Sequence, residues 1–297
     1  MPAPATAHDK ADQIAVHPFE NGFGCELSGL DLSQPLTQAR FETWHDAFER
    51  YSVVVIRGQH FSVAQHVAFS EWFGKLEQYE DPKDQAEGFN TIIRVSNIDK
   101  YTNAIKSLDD IGHKSFTLGT SDWHTDSSFR RIPSKASLLF AREVTPEGGD
   151  TAFASTSMAW EALPEDMQQR IEHLTVVHDF EETRRRFGLP PRPPEIRAKL
   201  PPVTHPLVTN LPDGRRALLI GMHAVRVEDM EPDASRAILD ELKAFATQQR
   251  FVYRHKWRVG DLVMWDNRCT MHRAMPYALE RDRRLLHRTT VAGEAAA

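Results

Sequence analysis

Apolar and polar positions change period repeatedly along this 297-residue chain. Ile14-Ala15-Val16 and residues 22–27 carry short strand-like runs joined through Pro18 and Gly22. Phe41, Trp44 and Phe48 then recur at helical spacing, which predicts a helix over Gln38–Tyr51 with those rings in the core. Val53-Val54-Val55-Ile56 is a continuous apolar run stopped at Gly58, the pattern of a strand buried on both faces. A second helix is expected over residues 62–73 with Ser62 as its cap. Residues 91–97, 136–141, 151–154, 203–209, 217–221 and 251–253 read as further strands, with a turn over 145–150. Residues 157–163, 164–174 and 233–248 read as helices, and Gly260-Asp261 turns the chain into a last run ending at Asp266. Two stretches lack periodicity. Residues 98–121 are expected to be a lid-like loop, and residues 181–200, rich in Arg and Pro, an insertion without an apolar face. Strands separated by turn signals, helices at intervals and no βαβ rhythm predict a mainly β fold with flanking helices, built on a double-stranded β-helix (jelly-roll) core. The expected organisation is a flexible tail over 1–12 and a single domain over 13–297.

Composition narrows the class. Lys plus Arg number 36 and Asp plus Glu 42, a formal charge of −6, which gives no basic footprint for nucleic acid. No window approaches eighteen uninterrupted apolar residues, so no membrane span is expected, and residues 1–12 lack the apolar stretch of a secretory signal. Cys25 and Cys269 are too few and too far apart to imply a disulfide framework, and two unpaired thiols fit a reducing cytoplasmic compartment.

The chemistry concentrates at Trp123-His124-Thr125-Asp126 and at the distant His272. On an extended backbone His124 and Asp126 leave the same face, close enough to share an ion. With His272 they make two imidazoles and a carboxylate, the facial triad that holds Fe(II) and leaves positions open for a chelating co-substrate and O2. A zinc hydrolase, or a barrel that binds metal without catalysis, would use the same three side chains.

Longer motifs separate these readings. Ser121-Asp122-Trp123-His124-Thr125-Asp126-Ser127-Ser128-Phe129, Gly148-Gly149-Asp150-Thr151, Trp265-Asp266-Asn267-Arg268 through His272, and Arg284-Leu285-Leu286-His287-Arg288 resemble the taurine dioxygenase and 2,4-dichlorophenoxyacetate dioxygenase family in order and spacing, from about residue 22 to 291. The resemblance implies a jelly-roll dioxygenase that uses Fe(II), 2-oxoglutarate and O2, with His124, Asp126 and His272 as metal ligands. It places the far carboxylate of 2-oxoglutarate on Arg284 and Thr151, and a second anion contact, to substrate or to the chelating end of 2-oxoglutarate, on Arg288. Arg283 would point to the other face of the strand. Asn97 and the loop lysines, Lys100 among them, are further candidates for orienting substrate. Met222, His223 and Arg226 are candidates for lining the pocket, His223 being the more ordinary structural histidine. Because the carboxylate at Asp126 is retained where related halogenases have a small residue, the resemblance implies hydroxylation. Within the family the chain looks more like the aryloxyacetate branch, through His124 to Phe129, Ile220-Gly221-Met222-His223-Ala224 and Val252-Tyr253-Arg254-His255-Lys256-Trp257 through Arg273. That branch implies a small acidic substrate whose ether methylene is hydroxylated, giving a phenol and glyoxylate. Taurine, alkylsulfonate and alkylsulfate oxidation are the alternatives, and family precedent suggests a homo-oligomer.

Overall fold

A computed structural model describes residues 14–81, 85–86 and 88–294; the tail expected over 1–12 lies outside the described residues. Eight strands form the larger sheet, in the spatial order Ala15–Pro18, Cys25–Ser28, Val53–Ile56, Leu262–Asp266, Ala136–Glu143, Leu285–Val291, Phe89–Ser96 and Gln85–Ala86. Its pairs are antiparallel except Cys25–Ser28 with Val53–Ile56. A second sheet orders Val252–His255, Thr151–Ser155 and Thr270–Ala274; a third orders Ala224–Val227, Thr175–His178 and Val203–Pro206. These sheets with their covering helices form the jelly-roll.

The two-residue period explains the apolar runs. Val53 and Val55 turn inward to a cluster with Phe153, Leu139, Trp265 and Leu286, which joins the eight-stranded sheet to the sheet that contains Thr151–Ser155. Val54 and Ile56 turn outward, where Trp44, Phe48 and Phe69 of the helices Gln38–Tyr51 and Val63–Glu71 cover them. Each such strand is therefore apolar on both faces. Trp44 and Trp265 are fully buried, and truncating either to Ala should cost about 3–5 kcal/mol. Ser62 caps its helix with a reciprocal Ser62/Gln65 capping box, as the sequence predicts for this position. On the far side, Ile238, Leu239 and Leu242 of the helix Pro232–Ala246 pack over Ala152, Ala154 and Met271.

Three expectations change. Half of the supposed loop over 98–121 is the helix Ile111–Ser121, capped where Asp110 accepts from the His113 amide. The expected helix over 164–174 ends at Ile171, and Thr175–His178 follows as a central strand. Residues 181–200 are not featureless: Phe180–Arg186 and Pro194–Arg197 are short helices, the first held by Asp179 at its N-terminus and by Glu182 paired to Arg185 and Arg186. Ion pairs at i,i+3 and i,i+4 take the place of a continuous apolar stripe there.

Candidate active site

His124 and His272 meet across an isolated antiparallel bridge. The His124 amide donates to the His272 carbonyl at 3.0 Å and the reverse bond is 2.8 Å. This pairing brings residues 148 positions apart into one site, with ring centroids 4.1 Å from each other. His124 Nδ1 lies 2.9 Å from the Asp122 carbonyl, so the proton sits on Nδ1 and Nε2 keeps its lone pair. Among the described residues His272 Nδ1 is buried without a partner, and its Nε2 stands 3.8 Å from Asp126 Oδ2. One donor atom from each of His124, Asp126 and His272 lies within 4.8 Å of the other two.

Electrostatics suit these groups to a cation. Burial lowers the pKa of both imidazoles, so they are neutral, the form that can ligate a metal, rather than imidazolium ions. Burial pushes the Asp126 carboxyl up, but Arg288, His272, His124 and the Ser137 hydroxyl outweigh it and hold the group well below the usual carboxylate range. Arg288 Nη1 donates to Asp126 Oδ1 and Ser137 Oγ to Oδ2, each at 2.7 Å. Behind them Asn267 Nδ2 donates to Ser134 and Ser137 at 3.0 Å, and the Trp265 indole fixes Asn267 from the other side at 2.9 Å. Two buried neutral imidazoles, one with an orphaned nitrogen, and a dehydrated carboxylate fit a divalent metal.

A cavity of about 400 Å³ opens beside this cluster. Arg284, on the inward parity of the strand Leu285–Val291, lines it together with Thr151 and Arg288. The Arg284 guanidinium is buried, donates through Nε to the Gly149 carbonyl at 3.2 Å and lies over the Tyr277 ring at 5.8 Å. No carboxylate is hydrogen-bonded to it among the described residues. Asp150, the acid that acts on it at a distance, is itself bonded to Arg254 at 2.6 Å. Burial lowers its pKa to about 10. An unpaired buried guanidinium is a receptor for an anion. Gly149 makes the approach feasible: it has φ +67°, and a Cβ there would stand 2.8 Å from Thr145 Oγ1 and 3.3 Å from Arg284 Nε. Thr151 Oγ1 accepts from the Trp257 indole at 3.0 Å, which leaves its own hydroxyl hydrogen to donate.

The remaining residues singled out by sequence divide. Asn97 lines the cavity, but its amide bonds the Leu279 and Asp282 carbonyls at 2.8 Å and accepts from the Arg284 amide at 2.9 Å. It clamps the segment that carries Arg284. Lys100 is not in the lining; its ammonium lies 5.9 Å from the Tyr101 ring centroid. Met222 is buried outside the lining, and its backbone bonds Trp123 and Thr183. His223 is packed against Phe129 and Phe180 and bonds Thr183 at 3.1 Å. Arg226 is exposed and outside the lining. Arg283 points outward to Glu143 and Asn103. Sequence reading missed Ser137, whose signal was a hydroxyl inside an apolar strand, and it missed Arg273, His113 and Thr117, which also line the cavity.

A family model described as taurine catabolism dioxygenase TauD, TfdA family matches residues 15–290. The chain belongs to this family. Among TauD/TfdA relatives, it is 35% identical over 284 residues to the alpha-ketoglutarate-dependent 2,4-dichlorophenoxyacetate dioxygenase of Cupriavidus pinatubonensis, covering 94% of this chain and 98% of that protein. It is 30% identical over 288 residues to the (S)-phenoxypropionate/alpha-ketoglutarate-dioxygenase of Sphingobium herbicidovorans, covering 95% and 96%. The solved structure of AAD-2 in complex with Mn(II) and N-oxalylglycine superposes with a TM-score of 0.86 at 36% identity, covering 95% of this chain and 98% of that one. Membership in the TauD/TfdA family matches the donor set and the unpaired cation described above.

Proposed function

We propose that the protein cleaves aryloxyacetates by hydroxylating the ether methylene. It is an Fe(II)- and 2-oxoglutarate-dependent dioxygenase. The observation that carries the reading is one cavity that joins a buried two-His, one-carboxylate cluster to the unpaired guanidinium of Arg284, walled by Val95, Leu139, Met275 and Leu279. Near full-length similarity to relatives named for dichlorophenoxyacetate and phenoxypropionate supports the substrate class. Residues His124, Asp126 and His272 would hold the iron, which when bound with 2-oxoglutarate supplies O2 activation and delivers one oxygen atom to a C–H bond.

The chain contributes positioning and charge. Arg284 and the Thr151 hydroxyl grip the far carboxylate of 2-oxoglutarate; Ser137 and Arg288 fix both oxygens of Asp126. The apolar wall takes the aryl ring and keeps water from the reacting carbon. Hydroxylation of Ar–O–CH2–COO⁻ gives a hemiacetal that loses phenol and leaves glyoxylate, while 2-oxoglutarate becomes succinate and CO2. Both cysteines are unpaired thiols, which supports placing this chemistry in a reducing cytoplasm, and no described helix is long and apolar enough to cross a membrane. Assembly as a homo-oligomer, carried by family precedent, belongs to the same proposal.

The test is anaerobic titration with Fe(II) and 2-oxoglutarate, following the visible band of the chelate, then exposure to O2 with 2,4-dichlorophenoxyacetate, taurine and an alkyl sulfate. Phenol release coupled to succinate supports the reading. Sulfite or sulfate release instead assigns the alternative branch, and the absence of a band from protein that binds iron refutes the dioxygenase assignment.

A further inference from the structure

A helix that covers an apolar cavity ordinarily turns its apolar stripe inward. The helix Ile111–Ser121 does the reverse: His113, Thr117, Thr120 and Ser121, spaced by three and four residues, share the face that lines the cavity. Two of these are spent within the helix, where Thr120 Oγ1 donates to the Thr117 carbonyl at 3.2 Å and Ser121 Oγ to the Leu118 carbonyl at 2.9 Å. His113 and Thr117 differ. His113 Nδ1 lies 3.1 Å from the Ser107 carbonyl, so it carries the proton, and in the neutral ring Nε2 is left as an acceptor. Neither that nitrogen nor the Thr117 hydroxyl has a hydrogen-bond partner among the described residues.

The His113 ring is held in place. It is 3% exposed, Ser107 fixes it from the loop ahead of the helix, and Asp110 accepts from its amide at 2.6 Å as the helix cap. The helix then runs directly into the metal site, with Ser121 three positions before His124. At 1.5 Å per residue, Thr117 stands roughly 6 Å and His113 roughly 12 Å along the axis from Ser121. These two groups therefore face the end of a bound substrate that is remote from the reacting carbon. A chlorinated or hydrocarbon ring end placed there strips water from an imidazole acceptor and a hydroxyl and returns no hydrogen bond, a loss on the order of tenfold in affinity for each. A ring end that carries an O–H or N–H supplies the missing donor.

We infer that His113 and Thr117 select an aryloxyacetate whose ring carries a hydrogen-bond donor at the end away from the ether, a hydroxyl in the simplest case. The inference rests on the proposed aryloxyacetate reading and narrows its substrate class. The ring lies along the apolar wall of Val95, Leu139, Met275 and Leu279, and its hydroxyl donates to His113 Nε2 and meets the Thr117 hydroxyl. Cleavage of such a substrate releases a dihydroxybenzene and glyoxylate, with succinate and CO2 from 2-oxoglutarate. Both residues set specificity and touch no reacting atom.

Glyoxylate release, measured on protein supplied with Fe(II), 2-oxoglutarate and O2, tests the selection. The probes are 3- and 4-hydroxyphenoxyacetate, each paired with its chloro counterpart, with taurine as a control, on wild type, His113→Leu and Thr117→Val. In at least one pair the wild type should favour the hydroxy member in kcat/KM by about tenfold or more. His113→Leu should reverse that preference, raising KM for the hydroxy acid and lowering it for the chloro acid, and Thr117→Val should remove part of it. A wild type that favours neither hydroxy acid overturns the inference, as does a preference that survives undiminished in both variants. No glyoxylate from any of the four acids, with sulfite from taurine, refutes the aryloxyacetate reading itself, a distinct result, and the subsite falls with it. The visible band of the Fe(II) and 2-oxoglutarate chelate should be the same in all three proteins. If His113→Leu loses it, His113→Phe, which keeps the bulk of the ring, takes its place with the same criteria.

Discussion

Arg284 should cost the empty enzyme stability, and replacing it should expose that cost. Its guanidinium is buried with a neutral carbonyl as hydrogen-bond partner, and burial lowers its pKa from 12.5 to about 10. That difference corresponds to about 3 kcal/mol of unfavourable burial for the charged form. The folded pKa is depressed, so the penalty is present in full at neutral pH and is relieved only as pH rises through about 10. Arg284→Met keeps most of the side-chain volume and removes the charge. It also leaves the Gly149 carbonyl without its donor, a loss of about 1 kcal/mol. The net gain of about 2 kcal/mol should raise the apo Tm by roughly 4 °C for a chain of this size. With a divalent metal and 2-oxoglutarate the order should reverse. Losing a buried charge-assisted contact weakens 2-oxoglutarate by about 3–4 kcal/mol, or roughly 10²–10³-fold. Wild type at a hundredfold excess over its Kd gains about 2.7 kcal/mol that the variant does not. Scanning calorimetry with and without 2-oxoglutarate under nitrogen reads both effects. A variant less stable than wild type in the apo state refutes the buried-charge argument, and an unchanged 2-oxoglutarate affinity refutes the anchor.

Further tests probe the surroundings. Ser137→Ala removes one of the two donors that fix Asp126 and should weaken Fe(II) binding about 10- to 100-fold with the fold intact; metal titration at normal affinity would contradict this. Thr151→Val should raise the KM for 2-oxoglutarate by about 0.5–1.5 kcal/mol, roughly 2- to 10-fold, with little change in the apparent KM for substrate. Asp126→Ala should abolish succinate formation, and residual turnover with normal iron affinity would remove it from the ligand set. His66, His178 and His287 have ring pKa values pushed down to about 3, first by burial and then by His287 and Arg142, His205, and Arg142 and Arg94 respectively. The unfolded chain therefore takes up protons first. Their contribution is full above about pH 6.5 and is lost as pH falls toward 3, by about 2 kcal/mol for each histidine at pH 5. The urea midpoint should drop between pH 7.5 and 5, and a constant midpoint would show these rings are not held neutral.

The clustering of His124, Asp126 and His272 and the inward facing of Arg284 and Arg288 were legible because they depend on residue type and on a period of two: 284, 286 and 288 share the inward face, and Arg283 faces out. The helix Ile111–Ser121 was not legible for a related reason. It turns His113, Thr117, Thr120 and Ser121 toward the cavity, so its inward face is polar and the amphipathic signature is inverted. Lys100 sits in sequence beside Asn97 yet outside the cavity, because chain proximity does not fix direction in irregular structure. Asn97 was noticed as a polar residue ending a strand, but its three bonds to the segment 279–284 depend on a pairing between strands nearly 190 residues apart, which no local pattern carries. Thr175–His178, a strand that is central in its sheet, is four residues long and follows a helix directly, too short for its alternation to stand out.

The strand Leu285–Val291 lies between Ala136–Glu143 and Phe89–Ser96 in the middle of the large sheet, although it is the last described strand in the chain. During biosynthesis its two neighbours are made long before it, and they cannot close against each other in the native register until it arrives. His272, Arg284 and Arg288 arrive with it or just ahead of it. A nascent chain therefore has neither this sheet finished nor His272 beside His124 and Asp126 until residues 272–291 have been made.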